Sequence, residues 1–357
     1  MRLLTSITSH GFGHAAQALV VLNALMTRRP DIELHIATTV PKPFLAGRLA
    51  HPFTCHVHST DFGLKMASAL DIDRAASAAA YAAQAQMWDS LVEAEIGFLS
   101  ALSPDLLLAD IPYIPLAAAH KLGIPAVGLC SLNWAGIYRH YFHDRPEADA
   151  VLERLISAYS SARVFLTPEP FMPMPELDNT RAIGPLARTG SNRRDEIDAQ
   201  LGLKPDDRLV LIALGGVQGR LPVERWPVIP GVHWLVQTGW KVERPGFHAI
   251  ESLEMPFTDI LASSDALLGK IGYGTVTECA VNATPMLYIP RADWPEEPYL
   301  AGWMEGHGAI ARVDVDQAET GDLSQALQAL LAQPPSSPPA LTGAEEAVQR
   351  LLEVYGG

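Results

Sequence analysis

Residues 269–278 read Gly269-Lys270-Ile271-Gly272-Tyr273-Gly274-Thr275-Val276-Thr277-Glu278, and this stretch decides the fold class. It follows the apolar run Ala266–Leu268, leads into a helical pattern from about Val276 to Asn282, and is followed by a second apolar run, Met286–Ile289. Short apolar runs of this kind are buried parallel strands joined through a crossover helix, so the segment is a βαβ unit. Three glycines within six residues let the backbone turn sharply and approach a ligand closely. The open N–H groups of the helix start favour an anion, and Lys270 adds a compact positive charge. Thr275-x-x-Glu278 also matches a capping box, with the threonine as N-cap and the carboxylate turned back on its amide. The same carboxylate is equally able to accept from the hydroxyls of a ligand.

The pattern extends outward in both directions. Upstream lie the strand Leu209–Leu214, running into Gly215-Gly216, the strand His233–Gln237 and a short helix at Phe257–Ser263. Backbone amides at Gly215 and Gly216 suit a diphosphate, although paired glycines after a strand are also ordinary punctuation. Downstream, Glu296 and Glu297 sit in a proline-rich loop, read either as acceptors for ligand hydroxyls or as a solvated acidic turn. An amphipathic helix is expected over Gly343–Tyr355 from its apolar spacing. The N-terminal half repeats the scheme: strands at Arg2–Ile7, Glu33–Thr38, Asp105–Leu108 and Ala126–Cys130, one long helical stretch from Ala75 to Leu102, and a helix at Ile114–Leu122. A proline-rich segment, 167–192, separates the halves. The expected organisation is an α/β protein of two doubly wound, Rossmann-like domains facing a cleft. Residues 1–166 form the first domain, 167–192 a linker, 193–335 the second domain, and 336–357 a connector with a terminal helix.

A length of 357 residues, 48% of them apolar, suits two separate cores. With 26 basic and 40 acidic side chains the net charge is −14, which argues against nucleic acid as a partner. No apolar stretch is long enough to span a bilayer, and the chain opens on a strand pattern rather than a signal peptide. The three cysteines lack metal-ligand or CxxC spacing. A cytoplasmic protein is expected.

Ser9-His10-Gly11-Phe12-Gly13-His14 joins the first strand to the first helix. The dinucleotide fingerprint is incomplete there, but two glycines flanked by histidines suit close approach to a ligand. His14 reads as a general base or as a helix-start residue satisfied by backbone. Asp110 ends the third of the listed N-terminal strands on the same edge, where it either orients His14 or caps a turn. Asn133 and Trp134 follow the strand Ala126–Cys130 and line the same edge, with Trp134 reading equally as ligand platform or core. His51, His56 and His58 lack the rest of a metal set and read as structural.

At these residues the chain resembles the glycosyltransferase-B superfamily, and within it the glycosyltransferase-like N-terminal region of plant L-arabinokinases and stand-alone bacterial relatives. The likeness is carried by Gly11-Phe12-Gly13-His14-Ala15, Asp105–Pro112, Leu122-Gly123-Ile124-Pro125, Gly269–Val276 and Glu296-Glu297-Pro298. A broader likeness links the second half to the peptidoglycan N-acetylglucosaminyltransferase. These resemblances imply metal-independent transfer of a sugar from a nucleoside-diphosphate donor, taken as a UDP-sugar, to an acceptor hydroxyl, with no cofactor. They imply Glu278 on the donor ribose, the turn Gly272, Tyr273, Gly274, Thr275 at the diphosphate with Lys270, Gly215 and Gly216, and Glu296 and Glu297 at the sugar. His14 and Asp110 resemble the base and partner carboxylate of plant glycosyltransferases, with His10, Gly11, Phe12, Gly13, Asn133 and Trp134 on the acceptor side. Glutamine is usual in the related donor loop, where this chain has Glu296 and Glu297. A nucleotide-sugar hydrolase or epimerase, or a binding protein without turnover, fits the same motifs.

Overall fold

The computed structural model describes residues 1–68, 70–215, 219–334 and 337–356. The chain forms two units, Met1–Ala67 with Ile72–Leu186 and Leu341–Gly357, and Ala187–Ala340 with Ser68–Asp71.

The first unit is built on seven parallel strands: β1 (Arg2–Ile7), β2 (Glu33–Thr38), β3 (Thr54–Val57), β4 (Leu106–Asp110), β5 (Ala126–Leu129), β6 (Val164–Pro168) and β7 (Thr180–Ile183). Their order is β3-β2-β1-β4-β5-β6-β7. Leu3, Leu4 and Leu106 to Ala109 are fully buried, as uninterrupted apolar strands must be when both faces of a sheet are covered. Strand order reverses between β1 and β4, so the turns after these two strands diverge and leave a crevice at their carboxyl ends. Ser9–His14 and Asp110 stand there.

Three features depart from the sequence reading. Residues 75–102 form two helices, Arg74–Gln86 and Trp88–Leu102, rather than one. At the break the Arg154 guanidinium takes the Ala85 carbonyl and lies over the Trp88 ring. The first sheet also runs past residue 166: β6 extends to Pro168 and pairs with β7, which lies wholly inside the segment read as linker, and the chain enters the second unit at Ala187. Of the prolines in that segment, Pro168 is the last residue of β6, and Pro170, Pro173, Pro175 and Pro185 lie outside the strands. Finally, the C-terminal helix Gly343–Gly356 belongs to the first unit, where it packs on the helix Gly13–Arg28 and buries Ala347, Val348 and Leu351. Periodicity reveals the apolar face of such a helix but not the surface that receives it.

The second unit has six parallel strands: β8 (Arg208–Ala213), β9 (Val232–Val236), β10 (Phe247–Ala249), β11 (Ala266–Lys270), β12 (Met286–Ile289) and β13 (Ile310–Arg312). Their order, β10-β9-β8-β11-β12-β13, repeats that of the first sheet without its last strand. Val210, Ile212, Trp226, Trp234, Leu268 and Leu287 lie in its core. The two sheets also repeat a side-chain pair on their second and third strands. His35 Nδ1 meets His56 Nε2 at 2.9 Å, and His233 Nδ1 meets His248 Nε2 at 3.0 Å. His56 thus belongs to a hydrogen-bonded wall of the sheet.

The first glycine of the opening motif has a packing role. A Cβ on Gly269 would lie 2.2 Å from the carbonyl oxygen of Ala213 on the adjacent strand β8, and neither backbone is free to move. Gly269→Ala is therefore expected to destabilise the second unit by about 1–3 kcal/mol. Urea unfolding followed through tryptophan fluorescence reads this out, and an unchanged midpoint contradicts the close strand packing.

Candidate functional site

In the first unit, β1 ends at Ile7 and the Thr8 amide donates to the Asp110 carbonyl at 2.9 Å, which ties together the two strand ends at the switch point. Gly11 has φ +84°, a conformation that admits glycine at little cost, and the helix begins at Gly13 with no side-chain cap. His14 is the second residue of that helix and is directed back under the turn, only 9% exposed.

The imidazole and Asp110 meet as the shared strand edge suggested. His14 Nδ1 lies 3.1 Å from Asp110 Oδ1, and the carboxylate is wholly buried. Burial pushes its pKa up to about 6, against the opposing pull of the His14 contact. An ionised Asp110 accepts from Nδ1–H and leaves Nε2 as the nitrogen that receives a proton. Cys130, one residue beyond β5, brings its Sγ to 3.4 Å from the same Nδ1, so two groups converge on one ring nitrogen. Trp134 is fully buried; its ring sits 5.9 Å from that of His14 and 5.3 Å, edge-on, from that of His10. The Trp134 indole donates to Asp61 Oδ2 at 3.0 Å. Burial raises the Asp61 pKa as well.

His10, His14, Asp110 and Trp134 are thus brought together. Phe12 turns elsewhere and stacks on Phe44 at 4.4 Å. Asn133 is buried as the N-cap of the helix Trp134–Phe142, accepting from the Gly136 amide at 2.7 Å and donating to Glu176 at 2.8 Å. Gly13 is exposed at the turn. Asp61 and Cys130 are additions to the sequence reading. Cys130 was legible, since its strand ends on the same sheet edge as Asp110; Asp61 lies in an aperiodic stretch that gives no positional signal.

In the second unit the helix after β11 runs Tyr273–Val281 with Gly272 as N-cap, three residues earlier than the sequence suggests. No side chain caps it. The Thr275–Glu278 capping box is therefore corrected: Thr275 is the third helical residue, and Glu278 lies beyond the first turn, buried at 6% exposure. The helix start is left to present its amides. Gly215, at φ +80°, packs against the Lys270 side chain, where a Cβ would be 3.0 Å from Cε. Gly216 lies outside the described residues.

Burial lowers the Lys270 pKa to about 8, and the nearby Arg291 charge lowers it further. Arg291 is itself buried, its guanidinium carbon 3.5 Å from the centre of the Trp294 ring. Lys270 and Arg291 thus lie close enough for one charge to act on the other, and Lys270 stands two residues before the Gly272 helix start. Glu296 and Glu297 do not form an irregular acidic loop. They open the helix Glu297–His307, with Glu296 Oε2 accepting from Trp294 Nε1 at 3.2 Å and Glu297 Oε2 from the Arg291 amide at 2.8 Å. Proline at the second helical position fits a helix start rather than a loop.

No family model matches the chain. Over 317 residues it is 27% identical to L-arabinokinase of Arabidopsis thaliana, a match covering 84% of this chain and 29% of the plant protein. It is 31% identical, over 33% of its length and 38% of the relative's, to the UDP-N-acetylglucosamine–N-acetylmuramyl-(pentapeptide) pyrophosphoryl-undecaprenol N-acetylglucosamine transferase of Thermus thermophilus. The chain thus spans less than half of either relative. Among solved structures, spinosyn rhamnosyltransferase SpnG complexed with thymidine diphosphate superposes with a TM-score of 0.62 at 16% identity, covering 100% of this chain and 96% of that one. The chain has the glycosyltransferase-B fold. Among the described residues no helix is long and apolar enough to cross a membrane.

The second-unit geometry sets a pH dependence for anions. Lys270 is charged below about pH 8 and loses its proton above it. Pyrophosphate affinity measured calorimetrically should therefore fall between pH 7 and 9 in the wild type and change little in Lys270→Met. An equal pH response in both proteins contradicts a cationic site at Lys270.

Proposed function

We propose that the protein transfers a sugar from a nucleoside-diphosphate donor, a UDP-sugar first among them, to an acceptor hydroxyl, in the cytoplasm and without a metal or cofactor. The observation that carries this reading is the buried His14–Asp110 pair at the switch point of a glycosyltransferase-B fold. Asp110 fixes the tautomer, and His14 Nε2 takes the acceptor proton as the hydroxyl attacks the sugar carbon. The donor diphosphate is held at the Gly272–Thr275 helix start and by Lys270, which stabilise the charge left on the departing nucleotide. Glu278 holds the ribose. Arg291, with Trp294 stacked on it, joins this group as a further donor contact. Glu296 and Glu297, engaged with the Trp294 indole and the Arg291 amide, shape the sugar pocket through the residues they hold. Among the described residues Cys55, Cys130 and Cys279 form no disulfide, which suits a reducing compartment.

The neighbours support the donor class: one was solved with thymidine diphosphate, and the bacterial relative is named for a UDP-sugar.

With a productive donor and acceptor, His14→Ala should lower kcat by about 10²- to 10⁴-fold while donor affinity stays within a few fold. Activity should also fall as the pH drops through about 6, where Asp110 takes up a proton and no longer accepts from Nδ1–H. Transfer at the wild-type rate by His14→Ala would remove the base from the mechanism. Consumption of the donor at full rate in the absence of any acceptor would instead identify a hydrolase.

A further inference from the structure

Three side chains at the first-unit site form a set that proton transfer alone does not require. His14, Asp110 and Cys130 each present one ligand atom, these atoms lie within 4.8 Å of one another, and all three residues are buried. An imidazole nitrogen, a carboxylate oxygen and a thiol are the donor types that zinc takes.

The spacing fits as well. A tetrahedral zinc with Zn–N and Zn–O near 2.1 Å and Zn–S near 2.3 Å separates its ligands by about 3.4 Å for N···O and about 3.6 Å for N···S. Here Nδ1 is 3.1 Å from Asp110 Oδ1 and 3.4 Å from Cys130 Sγ. Opening each pair by a few tenths of an ångström admits the ion.

Two further observations favour a cation. Asp110 Oδ2 is buried and has no hydrogen-bond partner. An orphaned buried carboxylate oxygen costs free energy that a metal would recover. Charge also balances: a thiolate and a carboxylate neutralise a divalent ion, which leaves the buried site without net charge.

We propose that His14, Asp110 and Cys130 form a binding site for a borderline-soft divalent cation, with zinc as its archetype, and that occupancy switches the proton-accepting histidine off. Binding displaces the thiol proton, and the carboxyl proton where present, to solvent; the metal forms bonds to Sγ, to an Asp110 oxygen and to the Nδ1 lone pair. The single proton of the neutral imidazole then resides on Nε2, the nitrogen that otherwise receives the acceptor proton. The metal therefore opposes the proposed transfer rather than serving it. Metal binding itself does not rest on the glycosyltransferase reading; only its inhibitory consequence does.

The test uses the whole chain after chelator treatment. Cobalt(II) should produce a thiolate-to-metal charge-transfer absorption in the near ultraviolet, displaced by zinc and unaffected by excess magnesium. Calorimetry should show zinc affinity lowered at least about 10- to 100-fold in Cys130→Ser and in Asp110→Asn. Cys279→Ser, a buried thiol elsewhere, should match the wild type. The thiolate band discriminates this site from the His35–His56 and His233–His248 pairs, which offer no sulfur. It is read on the unaltered protein, so it does not depend on whether the variants fold. Absence of the band, or its persistence in folded Cys130→Ser, overturns the site. If zinc binds but donor turnover, once established, continues unchanged in its presence, the switching role is wrong while the site stands. If zinc binds and no nucleotide sugar is ever turned over, the transferase reading fails and the metal site does not.

Discussion

Every named strand in both sheets runs parallel, and the rest of the molecule depends on this constraint. Parallel strands need crossover helices, so each strand end is followed by a turn and most turns by a helix start with unpaired amides. Those turns all gather on one edge of their sheet. Where the strand order reverses, between β1 and β4 and again between β8 and β11, the crossovers pass to opposite faces and leave the edge open. Gly11 and Gly13 follow β1, Gly215 follows β8, and Gly272 and Gly274 follow β11.

The two edges hold different sets of sequestered groups. In the first unit two carboxyl groups, Asp61 and Asp110, are buried against aromatic rings and an imidazole, and burial raises both pKa values. Such an environment retains protons and passes them on. In the second unit the buried charges include two cations, Lys270 and Arg291, beside an uncapped helix start.

Much of this was legible in the sequence because the signals were local. The short, largely apolar runs located β1, β2, β5 and β12 to within a residue, and strand ends placed His14 and Asp110 on one edge. What was not legible depended on distant partners. Met87 interrupts a good helical pattern because Arg154, far along the chain, takes a backbone carbonyl there. Strand β7 is short and polar and is defined by pairing with β6. Asp61 joins the site through the Trp134 indole, with no mark of its own in the sequence. Thr275 and Glu278 show the converse: a correct local pattern for a cap was overridden because Gly272, in an extended conformation, starts the helix earlier. Glu296 and Glu297 were misread as loop because proline is as much a helix-start residue as a helix breaker.

The central claim is that the segment quoted at the outset, Gly269 to Glu278, binds the diphosphate and ribose of a nucleotide sugar. Amide hydrogen exchange on the intact chain, with and without a panel of nucleoside diphosphates and their sugars, tests it most directly. Protection concentrated at the Gly272–Thr275 helix start by at least one of these ligands is the predicted result. Protection by none of them, or protection confined to the first unit, would contradict it.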